Sequence, residues 1–187
     1  APLGFSSIAS SPSLTASSNA VAQSIEIENG ASLTANSFDI TISGSQGAWI
    51  NYGTFYPGTG TVTFDHGVQN EIVTVAGITN FNDVHIGANT TIEPVAGCVF
   101  RIAGAATGTP PTRRPNWAVE NSTVERNGTN QNINNPVGLG GYSGYYNLIL
   151  SGSGIKTMPG TDLNILGNFS MDGTAVASAA SSLDVGG

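Results

Sequence analysis

Apolar and polar residues alternate with period two in short bursts along this chain, and each burst ends on residues that turn the backbone. Ser24-Ile25-Glu26-Ile27-Glu28 is the first clear burst, and Asn29-Gly30 closes it. Phe38-Asp39-Ile40-Thr41-Ile42 repeats the pattern before Ser43-Gly44, and Thr61-Val62-Thr63-Phe64 does so before Asp65-His66-Gly67. Ile72-Val73-Thr74-Val75 and Val84-His85-Ile86 come next, and Cys98, Phe100 and Ile102 fall on one face of another. Asn147-Leu148-Ile149-Leu150, Leu163-Asn164-Ile165, Phe169-Ser170-Met171 and Leu183-Asp184-Val185 complete the series. No apolar run holds a helical period. The chain therefore reads as all-β, built from short strands whose even spacing fits a sandwich, a barrel or a solenoid.

Internal similarity selects the solenoid. Thr61-Val62-Thr63-Phe64-Asp65 with Gly67 and Ile72 resembles Thr123-Val124-Glu125-Arg126-Asn127 with Gly128 and Ile133. Phe81-Asn82-Asp83-Val84-His85-Ile86 resembles Tyr145-Tyr146-Asn147-Leu148-Ile149-Leu150. Both offsets are a little over sixty residues, which reads as three coils of roughly twenty residues each. In such a stack, aliphatic side chains form columns inside, and Thr, Ser and Asn supply hydrogen-bonding capacity outside. Residues 24–187 are expected to form this body, with residues 1–23 a linker or cap strand. Residues 104–121 interrupt it. Pro110, Pro111 and Pro115 lack the backbone donor a sheet needs, so an excursion carrying Arg113 and Arg114 is expected there.

Composition agrees. Only 9% of the 187 residues are charged and 25 are Gly, while an average soluble domain is roughly 25% charged. The net charge of −7 and a single Lys, Lys156, argue against nucleic acid. No apolar stretch is long enough to span a membrane as a helix. Cys98 is alone and reads as a small buried hydrophobe. The basic leader of a signal peptide is not seen, and the start reads as a processed or internal terminus of something longer.

Certain segments carry a resemblance. Trp49-Ile50-Asn51-Tyr52-Gly53-Thr54-Phe55 leads into Pro57-Gly58-Thr59-Gly60-Thr61-Val62-Thr63-Phe64-Asp65. Tyr146-Asn147-Leu148-Ile149-Leu150-Ser151-Gly152 leads towards Leu163-Asn164-Ile165-Leu166-Gly167-Asn168-Phe169. Over residues 24–103 and 122–187 the chain resembles the repeats of very large Bacteroidetes cell-surface proteins, the adhesins and gliding proteins exported by type IX secretion. The resemblance implies a right-handed parallel β-helix, an extracellular location at the cell surface, and a structural or adhesive role. Its partners would be secretion or outer-membrane machinery, other surface proteins and glycans. The alternative is a carbohydrate-binding or polysaccharide-cleaving β-helix.

The candidate chemistry is sparse. Asp83 and His85 share the outward face of one strand and read as a solvated pair. The remaining acids are scattered, so no catalytic residue is assigned and no enzyme is expected. No metal motif or cofactor motif is present, so neither ligand is expected. Arg113, Arg114 and Trp117 are candidate contacts for a protein partner, because Arg and Trp anchor many interfaces. Trp49, Tyr52, Tyr142 and Tyr145 are candidate glycan contacts, since aromatic faces stack on sugar rings.

Overall fold

The computed structural model describes residues 12–67, 71–88, 90–108, 118–136, 144–178 and 182–186. These form strands and no helix, wound coil upon coil as a parallel β-solenoid of about seven turns. The first coil carries β1 (Ser13–Thr15), β2 (Ala20–Ala22) and β3 (Ile25–Ile27). The second carries β4 (Ser32–Thr34), β5 (Ile40–Ile42) and β6 (Ala48–Asn51). The third carries β7 (Thr54–Tyr56), β8 (Thr61–Phe64) and the start of β9 (Glu71–Phe81). The long β9 turns a corner, and its second half opens the fourth coil beside β7. That coil continues with β10 (Asp83–Ile86) and β11 (Thr90–Pro94). β12 (Val99–Ile102) and β13 (Ala106–Gly108) follow, then β14 (Thr123–Arg126) and β15 (Gln131–Asn132). β16 (Asn147–Leu150), β17 (Ser153–Thr157) and β18 (Leu163–Ile165) make the next coil. β19 (Phe169–Met171), β20 (Thr174–Ala177) and β21 (Leu183–Val185) make the last.

Every pairing between these strands is parallel, and Val62 pairs with Val84 in direct register. One column runs Ile40, Val62, Val84, Ala106 and another runs Phe100, Val124, Leu148, Phe169. Because strand side chains alternate faces, these columns face inward and their neighbours face out. A knot of rings fills the middle coils. Phe81 lies 4.4 Å from Phe100 and 5.3 Å from Trp49, ring centre to ring centre. The indole N–H of Trp49 donates to Thr79 Oγ1 at 3.0 Å, so its polar end is satisfied inside the core.

Corner residues tie each coil to the next. Asn19 Oδ1 accepts the Asp39 N–H at 3.0 Å, and Asp39 Oδ1 accepts the Thr61 N–H at 2.8 Å. Asp83 Oδ1 accepts the Ala105 N–H at 2.6 Å, and Asn147 Oδ1 accepts the Asn168 N–H at 2.9 Å. Short polar side chains cap backbone donors that a turn leaves unpaired. Asp39 and Asp83 are thus structural ties.

Three expectations change. Ser13–Thr15 and Ala20–Ala22 pair with the second coil, so the solenoid begins within the stretch read as linker or cap strand. At the interruption, β13 still pairs with β10, so the chain stays on the body to Gly108. Residues 109–117 lie outside the described set. The internal matches are also out of phase. β8 and β10 lie in one sheet, whereas β14 and β16 lie in another. Coil steps range from 19 residues (Ser13 to Ser32) to 26 (Ala48 to Thr74). Three coils beyond Ile40 is Ala106, 66 residues along. The similar segments are a few residues short of that and land one face early. They resemble each other because every strand obeys the same inside–outside rule.

Candidate functional site

The candidate contact residues scatter when placed on this body. Trp49 is fully buried and Tyr145 is 4% exposed, so neither can stack on a sugar. Trp49 takes an inward position on β6, and Tyr145 is held inward at an isolated parallel bridge to Ile165 just before β16. Tyr52 is 59% exposed at the corner after β6, and Tyr56, at the end of β7, is 55% exposed. Tyr142, Arg113, Arg114 and Trp117 lie outside the described residues.

Asp83 and His85 do face outward together, but each is engaged with the neighbouring coil. Asp83 accepts the Ala105 N–H, and His85 Nδ1 lies 2.9 Å from Thr107 Oγ1. His85 belongs to an outward column of Val21, Thr41, Thr63, His85 and Thr107. On the neighbouring face, Arg101 and Glu125 are register partners, and Arg101 Nε donates to Glu125 Oε2 at 2.7 Å. Glu125 Oε1 also accepts from Ser151 Oγ at 2.6 Å. Opposite charges one rung apart attract, which answers the crowding of like charges that stacking threatens. Cys98 is buried, and burial pushes its thiol up to about 12, far from a reactive thiolate. Among the described residues, no group of three or more His, Cys, Asp or Glu could hold a metal ion. No helix among them is long and apolar enough to cross a membrane.

The most unusual chemistry lies inside the solenoid. The column Ile102, Arg126, Leu150, Met171 places a guanidinium where its neighbours are aliphatic. Arg126 is 4% exposed. Its Nη2 donates to Asn132 O at 3.2 Å, and its Nε, also buried, has no acceptor. Burial pushes its pKa down from the ordinary guanidinium value. Tyr145 stands nearby and donates from its hydroxyl to Asn134 O at 2.7 Å. Burial pushes that phenol up to about 12, against the pull of Arg126, so it stays neutral and does not compensate the cation.

Lys156 is the second buried cation. Its β-strand is inverted, with Ile155 outward and Lys156 inward. Lys156 Nζ donates to Gly128 O at 2.7 Å, Thr129 O at 2.9 Å and Gln131 Oε1 at 2.7 Å, which uses all three of its protons. Gln131 Nε2 in turn donates to Ile102 O at 2.8 Å and Gly104 O at 2.9 Å. This network staples three coils together. Burial and the charge of Arg126 both lower the Lys156 pKa.

A cavity of about 640 Å³ opens beside Arg126. Ile86, Ile102, Val124, Ile133 and Tyr145 line it, with Thr107 and Asn134 among its polar groups. It lies beside the stretch of the third face between β11 and β18. Among the described residues that face carries no strand between β11 and β18, only the bridge from Tyr145 to Ile165. Sequence reasoning missed Arg126, although the signal was present. Alternation that turns Val124 inward turns Arg126 inward too. No family model, no curated protein and no solved structure matches this chain.

Proposed function

We propose that this chain is a structural and adhesive segment of an exported bacterial surface protein, a stalk or filament element that holds a binding tip away from the cell. The lateral surface carries the reading. Its outward column of Val21, Thr41, Thr63, His85 and Thr107 offers hydroxyls rather than charges. Stacked coils make a stiff body from nearest-neighbour contacts alone. With only 9% of residues charged, the exterior is sparse in charge, which weakens but does not remove the repulsion between bodies of net charge −7. Outward Ile155 and Val176, register partners on one face, add an apolar contact patch. Export by type IX secretion, with outer-membrane machinery and other surface proteins as partners, is the finer form of this reading. The resemblance of the repeat segments supports it.

Antibodies raised to this chain test it on intact cells of the source organism. Surface labelling is expected without permeabilisation, together with loss of the signal after brief external proteolysis. Labelling only after lysis would refute the proposal. The carbohydrate-directed alternative rests on Tyr52 and Tyr56, which expose their rings near one corner. A glycan array distinguishes the two. Binding lost in Tyr52→Ala, or turnover of any polysaccharide, favours the alternative.

A further inference from the structure

We propose that the interior cavity beside Arg126 binds a small amphiphilic carboxylate, its head on the guanidinium and its apolar body against Ile86, Ile102, Val124 and Ile133. Three observations converge. First, Arg126 is an almost fully buried cation with an unused Nε–H, and among the described residues no carboxylate side chain pairs with it. A buried charge left uncompensated is costly, and a bidentate carboxylate is the partner whose geometry a guanidinium matches. Second, the volume of about 640 Å³ falls within the range of small-molecule pockets, and the lining sets an apolar wall against a nearly equal polar share that includes Thr107, Asn134 and Thr161. Third, of the two buried cations among the described residues, only Arg126 has a donor to spare. The Lys156 protons are all committed to Gly128, Thr129 and Gln131. One available guanidinium suits a monoanion, and a dianionic phosphate or sulfate would be left half neutralised in a low-dielectric site. The apolar walls then select a head that carries a hydrocarbon body over a bare ion.

The probe is octanoate, titrated by calorimetry into the intact protein. A dissociation constant on the order of 0.1–1 mM is expected for a ligand of this size. Acetate, octanol and sulfate serve as controls for the head, the tail and an alternative anion, and each should bind at least about tenfold more weakly. Arg126→Met should weaken octanoate about 30-fold or more, and Arg126→Lys should weaken it about tenfold by losing the fork. The wild-type protein gives a readout that needs no variant. It has four arginines, so its arginine Nε–H resonances are few, and the Arg126 signal should move on addition of octanoate. The idea fails if octanoate does not bind, if octanol binds as tightly, or if sulfate does. It also fails if Arg126→Met, shown folded by its circular dichroism, binds octanoate unchanged, or if the Arg126 resonance stays still at saturation.

Discussion

Phe81→Ala should be among the most damaging single substitutions in this protein. Phe81 is 1% exposed, and four aromatic rings surround it. Their centres lie 4.4 Å (Phe100), 5.3 Å (Trp49), 6.0 Å (Phe55) and 6.2 Å (Phe64) away. Truncating a buried Phe costs about 3–5 kcal/mol in lost transfer energy and residual cavity. The two closest ring pairs add about 1–2 kcal/mol in sum, because aromatic pairs contribute beyond their area. The cavity cannot collapse easily, since hydrogen bonds pin the backbone on both sides at each coil. The expected loss is therefore about 5 kcal/mol. Phe81→Leu keeps most of the volume and should cost about 1–2 kcal/mol. Urea unfolding followed by far-ultraviolet circular dichroism measures both. Fluorescence adds a local probe, because buried Trp49 touches Phe81 and its emission should shift red in the Ala variant. A solenoid is stabilised by contacts between neighbouring coils, so a gap in the middle should also broaden the transition of Phe81→Ala. A loss below about 2 kcal/mol, or equal losses for Ala and Leu, would refute this account of the core.

Gly58 sits at φ 59° with an added Cβ only 1.7 Å from Asn36 O, so Gly58→Ala must displace backbone. It should cost more than about 2 kcal/mol, against about 1 kcal/mol for Gly67→Ala, where φ is also positive but the space is open; paired melting curves check this. The two buried cations should respond oppositely to methionine. Lys156→Met strands three acceptors and should cost about 3 kcal/mol, whereas Arg126→Met removes an under-satisfied charge and should raise stability by about 1 kcal/mol in ligand-free protein, both read from urea midpoints. Cys98 gives a pH signature. Its thiol rises from 9.0 to about 12 on folding, so the unfolded chain releases its proton first and stability falls as pH climbs through that window. Near pH 10.5 the loss from this group is about 2 kcal/mol, and Cys98→Ala should flatten the alkaline fall by that amount in urea titrations.

Much of the fold was legible because its rule is local. Ile40, Ile42, Val62, Phe64, Val84 and Ile86 declare their inward face by alternation alone, and all are buried. The candidate contact residues were less legible. Trp49 and Tyr145 are large aromatics with a polar tip, a type that suits an exposed platform and a core equally well. Their partners, Thr79 for one and Asn134 for the other, lie in other coils or across a corner. Arg126 and Lys156 break the expectation that charge faces water. Residue type suggested outward, while period suggested inward for Arg126, and period prevailed. For Lys156 the strand itself runs against residue type, since Ile155 takes the outward position and the lysine the inward one.

The chain alone determined the strands and the turns between them, because alternation and turn chemistry act within a few residues. Which strand lies above which was decided only in three dimensions. Steps of 19 to 26 residues depend on how each corner is closed, and corner ties such as Asp39 to Thr61 span a whole coil. The cavity beside Arg126 belongs to that second kind: no local pattern specifies it, since the space exists only between coils that are already stacked.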